Sequence, residues 1–287
     1  MTAPRSAEAQ EASPAVPPPL DPEFTVRVLA LALSQTLDDA ARAGYVVGLS
    51  GGLDSALAAA IAVRAVGPAS VHPLFMPGPH TSAASAGAAR HVADHLGLAL
   101  ETVDLAPSLD AAPGLDGDPR RRGNFAARLR MALLYDHAAR RDALVLGTGN
   151  KSEIALGYTT LWGDMAADVW PLGDLYKTQV LAIARAIGLP PAVIDRAPSA
   201  ELWDGQTDEV ELGFTYRVAD RVLYYYLEER RRPAEIHDIE TSAAEVERVL
   251  ARVRSQAHKR RLPTVVKLST RTIGHDFHHP RAWRGPA

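Results

Sequence analysis

The string Ser50-Gly51-Gly52-Leu53-Asp54-Ser55-Ala56 follows an apolar run, Tyr45 to Leu49, and opens an alanine-rich stretch, Leu57 to Val66. Strand, glycine-rich turn and helix start together give the string an anion-binding reading. The glycines let the backbone approach an anion, and the free N–H groups of a helix's first turn point at it. Ser50 and Ser55 add hydroxyl donors. Asp54 repels a phosphate, so its expected task is to hold Mg²⁺ against the phosphates. No Gly-Lys-Ser/Thr occurs in the loop, which argues against a kinase or GTPase of the Walker type.

A second candidate string, Gly147-Thr148-Gly149-Asn150-Lys151-Ser152-Glu153, follows the apolar run at 144–146. Neighbouring strand ends would bring Glu153 near Asp54, where two carboxylates can share one Mg²⁺. Lys177 falls at the start of a helical stretch. A cation there opposes the helix dipole, which favours an anionic ligand as the reason for it. Arg128 and Arg130 are two apart on one helix and cannot share a face, so one is expected at the site and the other at the surface. Asp164 and Asp168 could accept ribose or amide donors, or simply cap their loop. His275, His278 and His279 have no spacing that supports a metal site.

These residues need a scaffold. Asp21-Pro22 opens a helix to about Arg42, with Val26, Leu29, Leu33 and Leu37 at helical spacing. Strands are expected at 45–49, 71–75, 100–105 and 144–147, with helices to Val66 and over 82–96 and 125–140. Pro107 to Arg122 reads as a loop, and 150–172 as an ordered functional loop without a period. Further helices fall at 176–187, near 214–231 and near 242–257. Alternating strands and helices predict an α/β fold, a doubly wound parallel sheet of Rossmann-like type. The ligand crevice belongs at the strands' C-terminal ends, where the loops at 50–55 and 148–153 emerge.

The 287 residues suffice for one full α/β core. The net charge of −3 gives no basic field for nucleic acid. The chain has no cysteine, which rules out a disulfide framework and a cysteine nucleophile. No apolar run is long enough for a membrane span. Residues 1–21, rich in Ala, Pro and Ser, read as a disordered tail without a signal sequence. Residues 22–262 read as the single folded domain, and 263–287 as a C-terminal tail. A cytoplasmic location is the expectation.

Eight blocks occur in order between 50 and 260: SGGLDSA, GNFAARLRM, GTGNKSEIALGY, GDMAAD, DLYKTQV, PSAEL, GQTDE and HKR. Together they resemble NAD⁺ synthetase, of the ammonia-dependent, single-domain type within the ATP pyrophosphatase superfamily. The resemblance covers nearly the whole chain after the N-terminal tail. It implies an adenine nucleotide alpha hydrolase-like fold and the reaction deamido-NAD⁺ + ATP + NH₃ → NAD⁺ + AMP + pyrophosphate, with ATP as co-substrate and Mg²⁺ as cofactor. By position it implies that Gly48, Leu49, Ser50, Gly51, Gly52, Leu53, Asp54 and Ser55 bind the ATP phosphates. Thr148, Lys177 and Ser199 would also contact ATP, with Asp54 and Glu153 on Mg²⁺. Arg128, Asp168, His258 and Lys259 would contact deamido-NAD⁺. A homodimer with a site built partly across its interface is also implied.

Leu161 stands where ammonia-dependent members usually carry Lys. The run Thr160 to Met165 is more similar to the synthetase half of the glutamine-dependent branch, so a separate glutaminase subunit is a possible partner. The mechanism needs no nucleophilic side chain. Two alternatives remain at this point: a superfamily ligase acting on another carboxylate, and a nucleotide sensor without turnover.

Overall fold

Four parallel strands in the order β3-β2-β1-β4 form the centre of the computed structural model. The structure describes residues 16–115, 117–199, 201, 205–236, 241–260, 263–273 and 276. In chain order the elements are α1 (Pro22–Ala40), β1 (Gly44–Gly48), α2 (Leu53–Val66), β2 (Val71–Phe75), α3 (Ala83–Leu96), β3 (Glu101–Thr102), α4 (Ala106–Asp110), α5 (Pro119–Arg140), β4 (Ala143–Leu146), α6 (Lys151–Leu156), α7 (Lys177–Ala186), α8 (Pro191–Ile194), α9 (Asp208–Leu212), α10 (Tyr216–Leu227) and α11 (Ala243–Ser255). Tyr45 pairs with Val71 on one side and with Leu144 on the other. The order reverses beside β1, so the loops after β1 and β4 diverge and leave a crevice between them.

Side chains alternate across the sheet. Tyr45 and Val47 face a core built with α1, α2, α3 and α7. Val46, Leu74 and Val145 face the other core, under α4 and α5. Helix α2 lies deepest: its alanines 56, 58–60 and 62 are all buried, and these small side chains allow it to sit close between the sheet and its neighbouring helices. A third cluster joins α6, α10 and α11 away from the sheet. Among the described residues, no helix is long and apolar enough to cross a membrane.

The structure departs from the sequence reading in several places. The stretch from Pro107 to Arg122 is not all loop. Asp118 accepts the Arg121 N–H at 3.1 Å and Pro119 takes the first helical position, so α5 starts well before Phe125. The third strand is cut to Glu101–Thr102; the Val103 and Leu105 N–H groups still donate to Phe75 O and Pro77 O, and α4 follows at Ala106, whose N–H the Asp104 carboxylate accepts. The stretch 150–172 contains α6, opened by a reciprocal capping box between Asn150 and Glu153. The disordered tail expected to reach residue 21 does not: Pro17 is buried, Val16 packs on the third cluster, and Pro18 O accepts Gln179 Nε2 at 2.9 Å. The rest of that tail, and the histidines at 275, 278 and 279, lie outside the described residues.

Candidate active site

Helix α2 begins at Gly52 with no side-chain cap, so the amides of its first turn are left for a ligand. The two serines shape the loop. Ser55 Oγ accepts the Ser50 N–H at 3.2 Å and donates to Gly52 O at 2.9 Å, and Ser50 Oγ accepts the Gly52 N–H at 3.2 Å. Gly51 has φ +80°, and a Cβ there would stand 2.3 Å from Ser85 O on α3. Gly51→Ala therefore meets both left-handed strain of about 1–2 kcal/mol and a backbone clash. It is expected to lower the melting temperature by several degrees and to abolish ATP binding, read by thermal unfolding and calorimetry.

Across the crevice Asp54 meets the residues after β4. Asn150 Nδ2 donates to Asp54 Oδ1 at 3.0 Å, and Asn150 accepts the Glu153 N–H at 3.0 Å through its own Oδ1. The Lys177 ammonium sits between the two carboxylates, bonded to Asp54 Oδ2 and 3.3 Å from Glu153 Oε1. All three side chains are largely buried, with 8% of Lys177, 17% of Asp54 and 15% of Glu153 exposed. Burial and the neighbouring Asp54 push the Glu153 carboxyl up to about 8, while the surrounding carboxylates hold Lys177 protonated. Near neutrality the ammonium thus serves Asp54, and Glu153 keeps its proton.

Helix α10 explains why Lys177 can occupy a helix start. Asp220, fully buried, accepts from Ser152 Oγ at 2.5 Å and from the Thr178 N–H at 2.8 Å, while Ser152 Oγ accepts the Lys177 N–H at 2.9 Å. A carboxylate at the N-terminus of α7 offsets the unfavourable cation–dipole interaction. One helical turn before Asp220, the Tyr216 ring lies 5.3 Å from Lys177 Nζ and its hydroxyl donates to Asp208 at 3.1 Å.

Two buried carboxylates converging on one cation are a donor set that suits a hard divalent ion such as Mg²⁺. Below its pKa, Glu153 must lose its proton to take a metal. The sign follows from the shift. Between pH 4.5 and about 8 the folded protein holds a proton that the unfolded chain has released, so metal-free stability falls as pH rises through that window. Mg²⁺ affinity of the free protein is expected to rise over the same window, with release of about one proton per ion at pH 7. Calorimetry in two buffers of different ionisation enthalpy reads that proton; none released would remove Glu153 from the ligand set.

A cavity of about 720 Å³ spreads from these groups. Residues 48–50 and 52–55, Thr148, Glu153, Lys177, Ser199 and Lys259 line it. Arg130 also lines it and donates from Nε to Met76 O at 3.1 Å, so of the two arginines this one faces the cavity, and not the Arg128 that the resemblance names. Arg128 is exposed and donates to Leu161 O at 3.1 Å. Asp168 accepts the Val145 N–H at 2.7 Å and so fastens its loop to β4, while Asp164, which lines the cavity, accepts the Thr160 N–H at 2.6 Å within its own loop. His258 is exposed, outside the cavity lining. Lys259 donates to Gly157 O and Thr159 O. Beside the 50–55 loop, Arg196 and Glu201 bond each other and Ser85, whose hydroxyl donates to Glu201 at 2.5 Å. Sequence reasoning gave no role to Asn150, Asp208, Tyr216, Asp220 or this pair. The spacing of Tyr216 and Asp220, one turn apart on a helix, was the available signal.

The family model for NAD synthase matches residues 25–263. The NH(3)-dependent NAD(+) synthetase of Trichlorobacter lovleyi is 46% identical over 240 residues, which span 83% of this chain and 88% of that protein. Among solved structures, the NMN synthetase from Francisella tularensis superposes with a TM-score of 0.77 at 32% identity, over 87% of this chain and 100% of that one. The NH3-dependent NAD synthetase from Campylobacter jejuni, in complex with the nitrate ion, gives a TM-score of 0.73 at 28% identity over 86% of this chain and all of that one.

Proposed function

The chain belongs to the NAD synthase family, and we propose that it amidates deamido-NAD⁺ to NAD⁺ at the expense of ATP, with ammonia as the nitrogen donor. The observation that carries this reading is the Asp54–Lys177–Glu153 group facing the uncapped first turn of α2 across one cavity.

The chemistry follows from the substrates. A carboxylate is a poor electrophile. Its oxygen attacks the α-phosphorus of ATP, giving an acyl-adenylate and pyrophosphate. Ammonia then attacks the activated carbonyl through its lone pair, and AMP leaves. The amides of the 50–55 loop receive the departing pyrophosphate, and Lys177 adds a fixed positive charge beside it. Mg²⁺, held by Asp54 and Glu153, would supply further charge neutralisation on the phosphates. No side-chain nucleophile is required; holding the two substrates in line carries the rate. Thr148 and Ser199 line the cavity and are assigned to ATP. Arg128, Asp168 and His258 are not among the residues that line the cavity, and contacts made from a second copy would account for their expected role. We therefore place the substrate partly across a homodimer, checked by the dependence of activity on protein concentration.

The test is an assay of the purified chain with ATP, Mg²⁺, deamido-NAD⁺ and either ammonium or glutamine. NAD⁺, AMP and pyrophosphate are expected with ammonium, more at high pH where NH₃ is populated. Glutamine alone is expected to fail, because the chain has no cysteine to hydrolyse it. ADP as the stoichiometric nucleotide product would overturn the reading. Nicotinate mononucleotide belongs in the same assay, because the Francisella tularensis neighbour is an NMN synthetase and Leu161 offers no cation to a dinucleotide.

A further inference from the structure

Helix α6 has only six residues, too short to hold its shape alone in water, yet it carries Glu153. Its terminal carbonyls all find donors. Glu153 O accepts the Tyr158 N–H at 2.9 Å, and Ile154 O accepts the Gly157 N–H at 3.2 Å. The remaining acceptors are taken by cations from the chain's C-terminal part. Arg260 Nη1 donates to Ala155 O at 2.7 Å, and Arg252 Nε donates to Leu156 O at 3.2 Å. Lys259 Nζ donates to Gly157 O at 2.8 Å and to Thr159 O at 2.6 Å. Arg260 Nη2 also reaches back to Val253 O at 2.7 Å, which ties the group to α11. The approach is close: a Cβ on Gly157 would stand 2.3 Å from Gln256 Cβ.

Cations at a helix C-terminus satisfy its free carbonyls and favour the negative end of its dipole. We propose that Arg252, Lys259 and Arg260 form a cationic clamp on the C-terminal end of α6 that positions Glu153 and the 157–160 loop. They are positioning residues, acting through the backbone of α6. Lys259, although it lines the cavity, spends two of its three N–H donors on the chain itself. The clamp explains why a carboxylate on so short a helix can be held against Asp54 and Lys177. Its consequence for turnover rests on the function proposed above; its geometry does not.

The experiment compares Lys259→Met, Lys259→Arg and Arg260→Met with the parent chain. Amide hydrogen exchange over residues 153–160 is measured on the ligand-free protein, then kcat, KM for deamido-NAD⁺ and the half-saturating Mg²⁺ concentration. Both Met variants are expected to speed exchange of these amides at least about tenfold, with α2 and α7 unchanged. They are expected to lower kcat and raise the Mg²⁺ requirement by about 10–100-fold; for Arg260→Met, whose side chain is not part of the cavity lining, KM for deamido-NAD⁺ is expected to stay within about twofold. Lys259→Arg, which can still donate to two carbonyls, is expected to restore exchange and most of kcat. If Arg260→Met fails to fold, Lys259→Met decides alone. Unchanged exchange in Lys259→Met, or a defect confined to KM for deamido-NAD⁺, would overturn the clamp and leave Lys259 as a substrate contact. Absence of turnover in the parent chain would sink the proposed function, while the exchange result would still decide the clamp.

Discussion

Asp54→Asn and Glu153→Gln are each expected to lower kcat by about 10²–10³-fold while the fold survives. The two carboxylates converge on one buried point, and each substitution removes half of the charge that a divalent ion would meet there. Stability should change little, for different reasons. Gln is nearly isosteric with the protonated Glu153 of the free protein near neutrality. Asn keeps the oxygen that accepts from Asn150, and loss of the Asp54 charge lets Glu153 ionise and serve Lys177 in its place. Glu153→Gln should also flatten the fall of metal-free stability between pH 4.5 and about 8, since the group that titrates there is gone. Steady-state turnover at saturating Mg²⁺ and thermal unfolding across pH give the answer. Near-wild-type kcat in either variant would remove that residue from the metal site.

Much of this site could be read from residue order. The loop after β1 follows from glycines placed between a strand pattern and a helix pattern. The juxtaposition of Asp54 with Glu153 follows from parallel strand topology, because β1 and β4 are neighbours. Lys177 stood out because its position opposes a helix dipole. What stayed hidden depends on packing between segments far apart in the chain. Arg128 and Arg130 were known to point to opposite sides of α5, but only the placement of that helix under the sheet decides which side faces the cavity. Asp220 looks like an ordinary helix residue until α6 and α7 are seen to meet against it. Lys259 and Arg260 look like a solvated basic turn until they meet the carbonyls of α6. The start of α5 is a different kind of miss. The Asp118-Pro119 pair is a local helix-start signal, masked by the glycines and acids before it.

Lys177→Met separates the lysine's task from that of Asp54 and Glu153. In the ligand-free protein the ammonium holds Asp54 Oδ2 and Glu153 Oε1, and a divalent ion held by the two carboxylates would have to compete with it. Removing the ammonium leaves Asp54 beside Glu153 without a cation, and breaking a buried pair this way costs about 3–5 kcal/mol. The loss should grow as pH rises, because the carboxylates then ionise against each other. Mg²⁺ should offset it by binding the folded state alone, and should bind the variant at least about tenfold more tightly than it binds the parent. Turnover should nonetheless stay low at saturating Mg²⁺, by about 10²-fold or more, because the fixed charge beside the departing pyrophosphate is gone. The two readouts therefore move in opposite directions: metal affinity up, catalysis down. Calorimetry with Mg²⁺ on the ligand-free variant, thermal unfolding with and without the ion, and single-turnover kinetics measure each in turn. Unchanged Mg²⁺ affinity would show that lysine and metal use different oxygens. Full turnover at saturating Mg²⁺ would show that Lys177 only stands in for the ion and has no part in the chemistry.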